Sequence, residues 1–178
     1  LEELFNSFLS GSRSSASSPL LISGVPGSGK TFFLEKLSKL LTDRDEIVFL
    51  VDTIDYLPKD IMDPTHPDYN EDKTKGILGL FQACLNHSPC WLFLDNFDFF
   101  ASQDERSEYS FLLGTKLYCS ALEQLRGSFL SLMDKAMESG IRIIAAVEEP
   151  KYLFPKFTRA GRFDRIIHIP IPSVEQRE

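Results

Sequence analysis

The sequence is short of positive charge. Its 19 lysines and arginines stand against 26 aspartates and glutamates, for a formal net charge of -7. Phosphate contacts need a basic face, so nucleic acid is not expected as the partner. Cysteine is scarce, with only Cys84, Cys90 and Cys119. Their odd number and unpaired spacing predict neither a disulfide framework nor a metal-binding cysteine set, and they suit a reducing, intracellular setting. His66, His87 and His168 are scattered and read as ordinary histidines. No apolar run reaches the length of a bilayer span, so no transmembrane segment is expected. The first residues also lack the basic-then-apolar pattern of a signal peptide. The chain begins at Leu1, not at a methionine, and reads as a segment of something longer. What is present is an ordinary globular balance, 43% hydrophobic and 25% charged over 178 residues. That is enough for one domain with a sizeable core.

One stretch organises the rest: Gly24-Val25-Pro26-Gly27-Ser28-Gly29-Lys30-Thr31. It fits the spacing G-x-x-x-x-G-K-[ST] of a phosphate-binding loop. Glycines at such spacing let the backbone turn tightly and present successive N–H groups to phosphate oxygens. Lys30 would reach the outer phosphates and the Thr31 hydroxyl would hold Mg²⁺. The flanks agree. Leu20-Leu21-Ile22-Ser23 reads as a short buried strand entering the loop. Beyond it, Phe33, Leu34, Leu37, Leu40 and Leu41 fall at helical spacing on one buried face.

The remaining chain alternates strand and helix signals. Residues 1–10 place Leu1, Leu4, Phe5 and Phe8 on one helical face, and a serine-rich loop carries the chain to Pro19. Glu46 to Asp52 reads as a second buried strand, followed by a proline-rich stretch from Pro58 to Asn70 that cannot be helical throughout. A helix is predicted from about Lys73 to Leu85, with Ile77, Leu78, Phe81 and Cys84 on one face. Trp91-Leu92-Phe93-Leu94 then runs straight into Asp95, an apolar strand ending in a carboxylate suited to hold Mg²⁺. Residues 101–119 look like an insertion. A helix from about Ser120 to Ser139 carries Leu122, Leu125, Phe129, Leu132, Met133 and Met137, and Gly140 stops it. Ile141 to Val147 and Ile166 to Ile169 complete the strands. The fold class expected is α/β, a three-layer α/β/α sandwich of the P-loop NTPase type with a parallel central sheet.

Four stretches together resemble the AAA family of ATPases. Gly24–Thr31 is similar to the family's G-P-P-G-x-G-K-T. Phe81, Pro89-Cys90 and Trp91–Asp98 match F…P-C-hhhh-D-E-h-D in spacing, where h is an apolar residue. Ile143–Pro150 sits where the family has h-h-A-A-T-N-R-P. Thr158–Arg165, with Ile169-Pro170-Ile171-Pro172, resembles R-P-G-R-F-D-R and its h-P-h-P tail. The resemblance implies an ATP and Mg²⁺ site built from Gly24, Pro26, Gly27, Ser28, Gly29, Lys30, Thr31 and Asp95, with Thr31 and Asp95 at the metal. It implies a ring, usually of six identical or related subunits, in which Arg159 and Arg162 are arginine fingers directed at the neighbour's γ-phosphate. It also implies a protein substrate or adaptor and a cytoplasmic setting, at an organelle membrane surface through partners. The division expected is a helix and loop over 1–19, a large ATP-binding subdomain over 20–172, and from 173 to 178 the start of a linker to a helical lid.

The departures from the pattern carry as much information. The family's catalytic glutamate, which polarises the attacking water, is replaced by Asn96, an amide that orients water but takes no proton at neutral pH. The family's sensor asparagine appears as Glu148, whose carboxylate would repel phosphate. Asp98 is a substitute base in type, though two residues beyond Asn96 it is expected to point elsewhere. The pattern therefore predicts a domain that binds Mg-ATP and hydrolyses it slowly or not at all. It resembles the degenerate first ATPase domain of two-tier members such as the peroxisome-biogenesis type. Tyr69 falls where the family has a pore-lining aromatic. Two alternatives stay open: a fully active motor, and a P-loop kinase acting on a small molecule. Against the kinase stand Arg159 to Arg165 and the lack of an arginine-rich lid. The GTPase motif N-K-x-D is absent.

Overall fold

The structure, a computed structural model, describes residues 18–56, 75–102 and 116–171. The expectations for the N-terminal helix and serine-rich loop, for Tyr69 and the proline-rich stretch, for most of the insertion and for the linker lie outside the described residues.

Among the described residues five strands form one parallel sheet: β1 (Leu20–Ser23), β2 (Val48–Asp52), β3 (Trp91–Asp95), β4 (Arg142–Val147) and β5 (Arg165–His168), in the spatial order β2-β3-β4-β1-β5. Four helices connect them among the described residues: α1 (Lys30–Thr42), α2 (Lys75–Asn86), the single turn α3 (Asp98–Ala101) and α4 (Lys116–Glu138). Short 3₁₀ turns cover Thr53–Tyr56 and Pro150–Tyr152.

The three central strands are continuously apolar because helices cover both their faces. Side chains alternate across the sheet. Leu20, Ile22, Trp91, Phe93, Ile144 and Ala146 meet Phe33, Leu34, Leu37 and Leu41 of α1 on one side. Leu21, Leu92, Leu94, Ile143, Ala145 and Val147 face the core formed by α2, α3 and α4 on the other. There Phe97, Phe100, Phe129 and Phe157 pack ring on ring, with centroids 4.9 to 6.0 Å apart. Helix α4 ends as its glycine requires. Gly140 lies at φ 83°, its N–H donates to Met137 O, and the Ile141 N–H reaches back to Ala136 O. That is a Schellman cap, which satisfies carbonyls the helix end would otherwise leave open.

Three expectations need correction. Leu40 does not join the buried face of α1; it is 42% exposed. Strand β2 is an edge strand and not fully buried, leaving Leu50 exposed and its neighbours half-buried. Helix α4 starts earlier than predicted, at Lys116.

Candidate nucleotide-binding site

All strands run the same way, so their carboxyl ends gather on one edge of the sheet. Strand β1 leads out to the far edge at β2, while β5 sits on its other side. Such a reversal of strand order opens a crevice where ligands bind α/β sheets. The loop between β1 and α1 lies there.

The loop's backbone shape depends on its glycines. Gly27 and Gly29 have φ of 78° and 94°, the left-handed region that other residues enter only with strain. Gly24 is constrained by space: a Cβ there would lie 2.5 Å from Ser28 Oγ and 2.7 Å from Ile169 O. Its N–H is shared between Val147 O and Glu148 O, which ties the loop to the end of β4. Helix α1 starts at Lys30 with no side-chain cap. Its first N–H groups therefore point into the crevice at the positive end of the helix dipole, a ready anion site. Lys30 folds across the loop, donating from Nζ to Gly24 O at 2.6 Å and Val25 O at 3.2 Å. The Ser28 hydroxyl is buried and has no partner among the described residues.

The second half of the site comes from β3. Thr31 Oγ1 donates to Asp95 Oδ2 at 2.6 Å, and Asp95 is only 5% exposed. Two hard oxygens held this close suit Mg²⁺, which takes one or two protein oxygens and completes its shell with phosphates and water. Among the described residues no cluster of three or more His, Cys, Asp or Glu side chains could hold a metal alone. The residues present thus fit a nucleotide with its Mg²⁺: an unsatisfied Ser28 hydroxyl, uncapped helix amides, a cation on the loop and an oxygen pair beside it.

Asn96 adopts φ 51°, a left-handed conformation that asparagine tolerates better than most residues. Its N–H donates to Asp95 Oδ1 at 3.0 Å and its Nδ2 to Asp52 Oδ2 at 2.9 Å. Asp52 ends β2 directly beside Asp95 in register, and its other oxygen accepts the Ile54 N–H at 3.0 Å. Sequence reasoning placed Asp52 at a strand end without a site role. Asp98 is bonded at the exit of β4. Its Oδ2 accepts the Glu148 N–H at 2.9 Å, joining α3 to the exit of β4. Burial pushes the Asp98 carboxyl up to about 6 and the nearby Glu148 carboxylate adds to this, while the Glu148 N–H and the Lys30 charge oppose it. The Glu148 side chain itself is exposed.

Arg159 and Arg162 lie in one turn but in different environments. Arg159 is exposed. Arg162 is clasped within its own chain, from Nε to Asp134 Oδ1 at 3.1 Å, from Nη2 to Asp134 Oδ2 at 2.8 Å and from Nη1 to Lys156 O at 2.8 Å. Cysteine chemistry plays no part in the described site. Cys84 and Cys90 are buried in the core, and burial pushes the Cys84 thiol up to about 12.

Residues 20–171 match the family described as "ATPase family associated with various cellular activities (AAA)". The chain belongs to the AAA family. It is 33% identical over 162 residues to proteasome-activating nucleotidase 1 of Halobacterium salinarum, a match covering 90% of this chain and 35% of that protein. It is 28% identical over 159 residues to the proteasome-activating nucleotidase of Methanosarcina mazei, covering 89% of this chain and 33% of that protein. Peroxisomal ATPase pex1 of Schizosaccharomyces pombe is also 28% identical over 159 residues, covering 89% of this chain and 15% of that protein. The chain thus spans about a third or less of these relatives. Membership of this family makes it an AAA-type ATPase domain related to protein-remodelling ATPases, and implies nucleotide binding. Among the described residues no helix is long and apolar enough to cross a membrane.

Proposed function

We propose that this chain holds Mg-ATP at a boundary between subunits of a AAA ring, usually of six, and hydrolyses it slowly or not at all. The ring would act on a protein substrate or adaptor. The names of the relatives, which refer to proteasome activation and to a peroxisomal ATPase, support a task in protein handling.

When bound, ATP supplies a reactive phosphoanhydride and its Mg²⁺ offsets negative charge. The chain's own residues do the rest. Uncapped amides of the loop and of α1 bind phosphate oxygens, and Lys30 exchanges its carbonyl partners for them. Thr31 and Asp95 hold the metal. Arg159 faces outward, where it suits a neighbour's nucleotide.

The observation that carries slow turnover is Asn96. It occupies the position after Asp95, and Asp52 holds its amide. Asn96 Oδ1 remains to accept a hydrogen from water, but an amide takes no proton from it. An exposed carboxylate at Glu148 adds repulsion towards phosphate. Nucleotide here would serve assembly more than work.

The test is to restore the missing carboxylate. Asn96→Glu would stand beside Asp52, and two close carboxylates do not both ionise. The exchange Asp52→Asn with Asn96→Glu is therefore expected to raise turnover more than Asn96→Glu alone. If neither variant turns over faster than the parent, the lack of a base at position 96 is not what limits the site. Lys30→Ala is expected to weaken ring assembly if nucleotide is structural, and to leave assembly intact if it is only fuel.

The second reading, a fully active motor, draws on Asp98. It is a half-buried carboxyl raised to about 6 within the field of Lys30. Loss of turnover in Asp98→Asn, from a parent that hydrolyses ATP within seconds, would favour that reading.

A further inference from the structure

Arg159 and Arg162 differ in what already holds them. The turn that carries them is built on two anchors. Phe157 and Phe163 are fully buried, and the Phe163 N–H donates to Phe157 O at 3.1 Å, which closes the segment between them. Inside that closure the Arg162 N–H donates to Arg159 O at 3.0 Å, and the Gly161 N–H donates to Asp164 Oδ2 at 2.9 Å. Gly161 takes φ 83° to let the chain reverse. The Arg162 guanidinium then leaves the turn and docks on α4. It uses all three of its nitrogens, two on the Asp134 carboxylate and one on Lys156 O. A bidentate arginine–carboxylate pair is directional as well as strong, and fixes the orientation of what it joins. The Arg162 side chain is 22% exposed and that of Asp134 46%, so water screens the pair in part, and its role lies in fixing geometry more than in strength.

We infer that Arg162 is a positioning residue, clasped by Asp134 to brace the turn, and that Arg159 alone is the arginine offered to the neighbouring subunit. The inference rests on the proposed placement of nucleotide at a subunit boundary. To reach a phosphate itself, Arg162 would have to give up three hydrogen bonds at once, two of them to the Asp134 carboxylate. Arg159 is exposed, and among the described residues no side-chain hydrogen bond or ion pair holds its guanidinium. Its guanidinium sits on a turn whose ends are fixed by buried phenylalanines and whose middle is fixed by the clasp. A rigid mount of this kind lowers the entropic cost of placing a long side chain against a phosphate.

The sign of one substitution separates a brace from a second finger. In the full-length assembled protein, retention of a fluorescent ATP analogue with Mg²⁺ is compared for Asp134→Asn, Arg159→Ala and their combination. Hydrogen exchange is followed at the amides of Gly161, Arg162 and Phe163. With Arg162 as a brace, Asp134→Asn raises exchange at these amides about tenfold and shortens retention. The combination retains nucleotide no worse than Arg159→Ala, because Asp134 acts only through Arg159. The charge swap Asp134→Arg with Arg162→Asp restores both readouts towards the parent. With Arg162 as a finger, Asp134→Asn frees it and lengthens retention, which overturns the inference. Unchanged exchange at the three amides also overturns it. If Arg159→Ala and Asp134→Asn both leave retention untouched while exchange rises, the brace stands and the boundary placement of nucleotide fails.

Discussion

Thr31 Oγ1 lies 2.6 Å from Asp95 Oδ2, so the first turn of α1 is bonded to the end of β3. The two residues come from separate elements, and only the parallel packing of β1 and β3 around β4 brings them together. The threonine methyl has no part in this. Thr31→Val keeps the shape and removes the donor, leaving a nearly buried carboxylate with one partner fewer. The expected cost is about 1–2 kcal/mol in apo stability, with loss of most of the Mg²⁺-dependent part of nucleotide affinity. Chemical denaturation and nucleotide titration with and without Mg²⁺ read the two effects separately. Equal affinities in the presence and absence of Mg²⁺ for the parent would contradict the role of this pair.

Gly24 is expected to tolerate nothing larger. An added Cβ meets the Ser28 hydroxyl and the backbone carbonyl of Ile169, and the carbonyl cannot rotate away as a side chain can. Gly24→Ala should cost about 1–3 kcal/mol through strain and should also displace the loop. Thermal unfolding and nucleotide binding are the checks. A fully stable Gly24→Ala variant with parental affinity would show that the loop yields easily.

The aromatic cluster sets a contrast between two phenylalanines. Phe97 is fully buried against Phe100, Phe129, Phe157 and Phe163, whereas Phe32 is 55% exposed with Lys36 over its ring. Phe97→Ala should destabilise by about 3–5 kcal/mol. Phe32→Ala should stay within about 0.5 kcal/mol of the parent. Denaturant midpoints decide it.

Asp98 gives a pH dependence with a definite sign. Burial lifts its folded pKa to about 6, above the ordinary 3.8, so the folded state binds more protons between those values. Stability contributed by Asp98 is therefore present below pH 4 and is lost as pH rises to 6. Relative to the parent, Asp98→Asn should gain stability from pH 4 to 6 and then hold level. A difference that stays flat across that window would mean the carboxyl is not raised.

Much of the fold was legible because it repeats with a local period. The alternation in Trp91–Leu94 and Ile143–Val147 sends successive side chains to opposite layers, and Gly140 marks a helix end by its backbone alone. The turn at Gly24–Thr31 was legible because its glycines demand special backbone angles, and Asp95 because an apolar strand ends on it; their proposed roles at phosphate and Mg²⁺ are untouched by that agreement. The misses are of another kind. Leu40 continues the periodic stripe of α1 but stays exposed, and the apolar composition of β2 does not reveal that it is an edge. The partnerships of Asn96 with Asp52 and of Arg162 with Asp134 join residues far apart in sequence, and no periodic pattern records them. Asp52 left one faint sign, an acidic strand end resembling that of Asp95. Asp134 left none.

In the proposed function, Asn96 makes this a site for holding nucleotide. The most direct measurement is a single turnover in the full-length, assembled protein, with any second, competent ATPase domain disabled by substitution. Labelled ATP is bound with Mg²⁺, free nucleotide is removed, and the retained nucleotide is identified over time. A holding site keeps it as ATP for many minutes. Conversion to ADP within seconds would contradict that role and make this domain a motor in its own right.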